Sequence, residues 1–363
     1  MRDPTVREAL ADLPPSSKFV YNVLERDGTM TLKELTEETL LGSRTARYGL
    51  SKLRDADLVR EAPALHDGRQ TCYSVSHRSL GESRTTYPET ALVHPDALER
   101  ALETVGGDDA AFRLLEVSGT YAEGHVPGAV ELDPESEFSD ARGVPRPAHL
   151  EDVLGERGIT PDTTVVVYGE ENNEDAAFVY WVLAYYGHRD VRLLDGGKRH
   201  WRDSDYALTT DVPAVTARTY SLVRAPDEDV RAYREDVRDA LATDAALVDV
   251  RTRAEYCGET DAPARVSGHI PQTVNLEWTS VLREDGRFRP RGDLADAVAD
   301  LGVDPDDDVI VYCNFGERSA LVWVALSELL GFERVANYDG SWTEWGNLVD
   351  APIETCDSAA DDD

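Results

Sequence analysis

The chain contains one stretch twice, at a fixed spacing, and any fold proposed for it must honour that. Gly124-His125-Val126-Pro127 returns as Gly268-His269-Ile270-Pro271, 144 positions later. The same spacing of 144 relates Val165–Tyr168 to Val309–Tyr312, Asp195-Gly196 to Asp339-Gly340, and Trp201 to Trp345. Four matches at one offset imply two homologous domains, joined near Val212–Tyr220. Within each, short β-branched runs alternate with helical ones: Leu247–Val250, Asp293–Leu301, Val309–Tyr312, then Arg334–Tyr338. That alternation predicts α/β domains built on parallel sheets with helices on both faces. Open sheets of this kind place their sites at strand C-termini.

One such strand end stands out. Val309-Ile310-Val311-Tyr312 reads as a buried strand, and Ser319–Leu330 as a helix stopped by Gly331. Between them lies Cys313-Asn314-Phe315-Gly316-Glu317-Arg318. A strand, a tight loop and a helix N-terminus set the Cys313 sulfur over backbone N–H groups, a nest that favours a thiolate. A buried structural cysteine is the bland alternative, but Gly316, Glu317 and Arg318 are poor core residues. Four residues separate Cys313 from Arg318, one fewer than in the C-x5-R loop of Cys-dependent phosphatases. The tighter ring suits a single sulfur better than a phosphate, which disfavours a phosphatase or arsenate reductase.

This loop, followed by Tyr338-Asp339-Gly340-Ser341-Trp342-Thr343-Glu344-Trp345-Gly346, resembles the rhodanese family, and within it the two-domain thiosulfate sulfurtransferases. The resemblance covers about residues 91–355. It implies that Cys313 takes the outer sulfur of thiosulfate as a persulfide and yields it to cyanide or a thiol. Arg251 corresponds to the family's substrate-binding arginine, and the loop residues Asn314, Phe315, Gly316, Glu317 and Arg318 form the cradle. Arg318 either binds substrate or pairs with Glu255 or Glu259 to hold the loop. The first copy has Gly169 in place of Cys313, Glu174 opposite Arg318, and Glu116-Val117-Ser118 where Arg251 would fall. The resemblance makes it a structural partner without sulfur chemistry, its carboxylate-rich loop repelling anions. His125 and His269 are expected to be structural, because the copy without a thiol keeps His125. Cys257 stays open as a second thiol that resolves the persulfide. No metal-ligand cluster or phosphate-binding motif appears, so neither metal nor cofactor is expected.

Charge separates a third region. The chain carries a net charge of −34, yet residues 1–80 hold 12 basic and 12 acidic side chains. The remaining 25 basic and 59 acidic residues carry the whole imbalance. An acidic surface with only four lysines resembles proteins adapted to concentrated salt, a halophilic character. The neutral N-terminal module reads as three helices and a hairpin: Phe19, Val20, Val23 and Leu24 face inward before a stop at Gly28. Leu32, Leu35 and Leu40-Leu41 follow, ended by Gly42. Ser43 then caps a third helix with Ala46, Leu50 and Leu53 inward, and Asp67-Gly68 turns the hairpin. This order resembles the winged helix-turn-helix domains. It implies duplex DNA as a partner, met by Arg44, Thr45, Arg47, Tyr48 and Ser51, with Arg60 and Arg69 flanking the wing. The alternative is a dimerisation domain.

The expected organisation is a small winged helix-turn-helix domain (1–85), a linker at 81–90, a rhodanese-like domain without catalytic Cys (91–215), a catalytic one (216–355) and an acidic tail (356–363). No apolar stretch is long enough to span a membrane, and the N-terminus lacks the apolar core of a signal peptide. Four cysteines without a disulfide framework fit a reducing cytoplasm. A sulfur-responsive transcriptional regulator, the rhodanese copies acting as sensor, is the alternative to an enzyme. A homodimer suits either.

Overall fold

A computed structural model describes residues 10, 13–27, 30–56, 58–64, 67–75, 91–104, 112–138 and 143–356. The Gly28 stop, the 81–90 linker, the side chains of Arg60 and Arg69, and the tail beyond Cys356 lie outside the described residues. The chain divides into two compact units, Met1–Thr85 and Thr86–Asp363.

In the first unit, helices Pro15–Asp27, Leu32–Thr39 and Ser43–Asp55 precede a hairpin of β2 (Val59–Ala64) and β3 (Asp67–Val75). The short β1 (Met30–Thr31) joins the hairpin in an antiparallel sheet of order β1-β3-β2. Val20, Val23, Leu24, Leu35, Leu50 and Leu53 form its core. Phe19 does not: the buried stripe of the first helix runs through Ser17, Val20, Tyr21 and Leu24, which leaves Phe19 exposed. The second helix stops at Thr39, because Leu40 adopts a left-handed φ of 54° and is exposed. A Thr31–Glu34 capping box fixes its start. Gly42, not Ser43, is the N-cap of the third helix. Ala64 pairs with Asp67, so Asp67-Gly68 opens the returning strand instead of forming the turn.

In the second unit the repeat becomes two all-parallel sheets. The first copy orders its strands β4-β8-β7-β5-β6, from Leu92–Val93, Val191–Leu194, Thr164–Gly169, Phe112–Val117 and Val130–Glu131. The second orders β10-β9-β11-β12, from Val274–Asn275, Ala246–Asp249, Val309–Tyr312 and Val335–Asn337. Strands β5 and β7 are buried along their whole length, as sheets covered on both faces require. Equivalent contacts repeat at the 144-residue spacing. The Val126 N–H donates to the Tyr168 hydroxyl at 2.9 Å, and the Ile270 N–H to the Tyr312 hydroxyl at 3.2 Å.

Helix Glu174–Tyr185 is apolar nearly all round, since it lies between its own sheet and helix Glu317–Trp323 of the other copy. Tyr180 and Trp323 meet there with ring centroids 6.5 Å apart, and the residues around them form one continuous core. The second of these helices runs on through Val324–Leu330 with π-type winding and ends at Gly331. The fully buried Trp181 donates its indole N–H to the Val230 carbonyl at 2.9 Å, tying the first copy to the segment that leads into the second. Trp181→Ala should therefore cost about 3–5 kcal/mol. Denaturant titration followed by far-ultraviolet circular dichroism would show the midpoint fall.

Candidate active site

Cys313 follows β11 directly and is 1% exposed. Its sulfur accepts the Gly316 N–H at 3.1 Å and lies 3.5 Å from the Ser319 hydroxyl and 3.9 Å from that of Ser341. Ser341 has a left-handed φ of 50°, its oxygen accepting the Cys313 N–H at 3.1 Å. The Trp342 N–H and the Thr343 hydroxyl hold the carbonyls of Cys313 and Asn314. Gly316 has a φ of 108°, and a Cβ there would meet the Asp339 backbone at 3.2 Å, so both conformation and space require glycine. Phe315 alone of Cys313–Gly316 is exposed, at 37%.

The loop is tied down from one point. Glu255 receives Arg318 at 3.0 and 3.1 Å and the Asn314 amide at 2.7 Å, and itself caps helix Arg253–Cys257 through Thr252. Burial alone would push its carboxyl up, but the bonds from Arg318 and Thr252 outweigh this and bring it down to about 2. Of the two roles open to Arg318 in the sequence, the structure displays the pairing with Glu255. What sequence reasoning missed is that Glu255 also holds Asn314. The signal was there in length: Glu116 pairs with Tyr168 and Asp249 with Tyr312, yet Gly124 follows the first by eight positions and Gly268 the second by nineteen. Those eleven extra residues carry the Glu255 helix.

Arg251 is fully buried rather than open to a donor. It forks onto Asp249 (2.6 and 3.0 Å), donates to the Gly268 carbonyl at 2.7 Å, and lies 4.4 Å from the Trp342 ring centroid. Its remaining nitrogen, Nη1, has no hydrogen-bond partner. The first copy, expected to lack this cation, supplies one from elsewhere. Lys198, in helix Gly197–Asp203, reaches Glu116 at 2.8 Å and Glu170 at 3.1 Å. Lys198 stands 144 positions before Trp342, so cation and partner have exchanged places between the copies.

The first copy's loop is also one residue longer. Its helix begins at Glu174 behind a left-handed Asn173, where the second begins at Glu317 behind Gly316, so Asp175 rather than Glu174 stands opposite Arg318. The Asn173 side chain accepts the Gly169 N–H at 2.8 Å, the counterpart of the bond that Ser341 takes from the Cys313 N–H in the second copy. Glu170, one of the carboxylates of this loop, is paired with Lys198 and Arg202 and is not bare. Glu174 sits within electrostatic reach of Arg318, linking the copies at the loop, and burial pushes its carboxyl up.

His125 and His269 bond equivalent carbonyls, of Tyr121 (3.1 Å) and Tyr256 (2.8 Å), and stack on those rings at 3.8 and 3.7 Å. Cys257 is not a free thiol. It is bonded to Cys356, 99 residues away, which overturns both the resolving role and the expectation of a chain without disulfides. Their Cα atoms come within 4.6 Å, a proximity that linear spacing does not disclose. Arg44, Thr45, Arg47 and Tyr48 lie together on the exposed face of helix Ser43–Asp55, in the other unit. A cavity of about 340 Å³ opens beside Glu228, Arg231, Tyr233 and Ile310, and no residue of the Cys313 loop lines it. Among the described residues no His, Cys, Asp and Glu side chains cluster as a metal site, and no helix is long and apolar enough to cross a membrane.

A rhodanese-like domain profile matches residues 106–204 and 233–348. A Haloferax volcanii protein named "Putative thiosulfate sulfurtransferase" is 44% identical over 75% of this chain and 99% of its own length. The sulfur carrier protein TtuD of Thermus thermophilus is 41% identical over 74% of this chain and 97% of its own. Among solved structures, an anaerobic ergothioneine biosynthesis enzyme from Chlorobium limicola superimposes with a TM-score of 0.65 at 26% identity, covering 73% of this chain and 70% of that one.

Because Glu255 ionises more readily in the fold than in an unfolded chain, its contribution is complete above its ordinary value of 4.5 and is lost as pH falls towards 2. The thermal midpoint should drop across that window in the natural protein. In Glu255→Gln the drop should be shallower and the midpoint at pH 7 lower, both readable by scanning calorimetry.

Proposed function

Since the chain belongs to the rhodanese family and is a sulfurtransferase of the rhodanese type, we propose that it moves sulfane sulfur from thiosulfate to cyanide or a thiol through Cys313. The observation that carries the reading is the buried Cys313 sulfur, held by the Gly316 N–H with two hydroxyls beside it. The thiolate attacks the outer sulfur of thiosulfate, the S–S bond breaks, and sulfite leaves with the electron pair. The persulfide then carries its negative charge among the loop amides of Asn314–Arg318. A thiolate or cyanide attacks the outer sulfur in turn and restores the Cys313 thiolate. Arg318, partly exposed and balanced by Glu255, is the cation a dianion meets at the rim, with Phe315 beside it. Arg251 supports the strand end, and only its Nη1 is left to reach a donor. The domain limits 91–215 and 216–355 are part of this proposal.

Intact mass after exposure to thiosulfate tests it, the expected result being one added sulfur that Cys313→Ser abolishes together with sulfite release. Unchanged turnover in that variant would overturn the reading. Arg318→Ala should lower kcat/KM for thiosulfate by roughly tenfold to a hundredfold. Gly169→Cys in a Cys313→Ser background should gain no sulfur, because the loop there is one residue longer and Asn173 stands where the second copy has Gly316.

A second reading applies to the N-terminal unit. We propose that it is a winged helix-turn-helix module that docks helix Ser43–Asp55 on duplex DNA. Arg44, Thr45, Arg47 and Tyr48 are exposed together, and Lys52 lies over the Tyr48 ring at 6.0 Å. A homodimer would present two such helices to the duplex. Fluorescence anisotropy with the full chain would show sequence selection from a random duplex pool, lost in Arg44→Ala/Arg47→Ala. Absence of any selection returns the module to a dimerisation role.

A further inference from the structure

The eleven-residue insertion of the second copy carries Glu255 and, two positions on, Cys257. The bond from Cys257 runs to Cys356, in the last described segment of the chain. That segment is fitted closely. Glu354 exchanges both backbone hydrogen bonds with His269, at 2.8 and 2.9 Å. A Cβ on Gly268 would meet the Glu354 carbonyl oxygen at 2.4 Å, and one on Gly258 would meet Thr355 at 3.1 Å. The disulfide thus fastens the C-terminal end of a five-residue helix whose middle residue holds the Cys313 loop. Cys257 is nearly sealed and Cys356 partly exposed, so a small thiol can reach the bond from the Cys356 side.

We infer that the Cys257–Cys356 disulfide is a redox-sensitive clamp, through which low-molecular-weight thiols set how firmly Glu255 holds the Cys313 loop. It rests on the sulfurtransferase reading of that loop. Opening consumes two thiols. The first thiolate forms a mixed disulfide with Cys356 and releases the Cys257 thiolate. A second thiolate then frees Cys356 and leaves as the external disulfide, so two electrons and two protons pass to the protein. Oxidised small disulfides close the bond by the reverse exchange. The clamp matters because a five-residue helix has little stability of its own. Around Glu255 stand Arg318 and Asn314 from the loop side, Thr252 on its own element and Arg251 from the end of β9. Arg318 in turn feels Cys313, Asp249 and Glu174. With the clamp open, Glu255 returns towards ordinary carboxylate behaviour, and the loop loses its anchor at a higher pH.

The test uses the full chain in three forms: purified without reductant, reduced by a phosphine that is then removed, and Cys356→Ser. Thiol counting by alkylation and mass confirms the state of the pair. The acid limb of sulfite release from thiosulfate should lie at higher pH in the reduced form and in Cys356→Ser than in the oxidised form. At pH 4 the two open forms should be slower by up to roughly fourfold, the ratio of ionised Glu255 between a carboxyl at its ordinary value and one held near 2. Iodoacetamide alkylation of Cys313 should be faster in both open forms, a readout that needs no sulfur donor. Superimposable pH profiles and equal alkylation rates overturn the clamp, as does a pair that stays reduced under small-disulfide oxidant. Failure of Cys313 to take sulfur in every form counts against the sulfurtransferase reading instead, and the alkylation rates still decide the clamp.

Discussion

Each copy ends a central strand on a fully buried carboxylate, Glu116 or Asp249, and a buried carboxylate must be paired. The neighbouring strand sets a tyrosine beside it in both copies, at Tyr168 and Tyr312. The cation then comes from different places. In the second copy it is Arg251, two residues along the same strand end and stacked on Trp342. In the first it is Lys198, from the helix after β8. Either solution anchors the C-terminal edge of the sheet, and the loops above are free to differ because the floor is secured.

That freedom separates the loop at Cys313 from its counterpart at Gly169. Above Asp249 and Arg251 the loop is short, turns at Gly316 and aims the Gly316 N–H at the Cys313 sulfur. Over Glu116 and Lys198 it has one residue more, and Asn173 takes the left-handed place of Gly316 and bonds the Gly169 N–H.

The fold was legible where periodicity and repetition were strong. Fully buried strands read as continuous apolar runs, and Gly331 ends its helix as expected, but that helix begins at Glu317 behind the left-handed Gly316 and not at Ser319. The N-terminal helices were placed correctly, but their edges were not. Phe19, Leu40 and Asp67-Gly68 were assigned by hydrophobicity and turn propensity, and backbone pairing and the direction of the buried stripe decided otherwise. The place of Cys313, between a strand and a helix start, could be read from order alone, since a strand, a tight loop and a helix start are local features.

What the sequence by itself determined is therefore everything set by neighbours in the chain: two copies of a parallel-sheet domain, the loop at Cys313, the thiol missing from the first copy, and a neutral module on an acidic protein. Tertiary structure decided what depends on distance in space. It paired Arg318 and Asn314 with Glu255 across some sixty positions, sealed Arg251 under Asp249, brought Lys198 to Glu116, and joined Cys257 to Cys356. A charge or a thiol reads as available until its partner is known, and that partner is fixed by packing rather than by spacing along the chain.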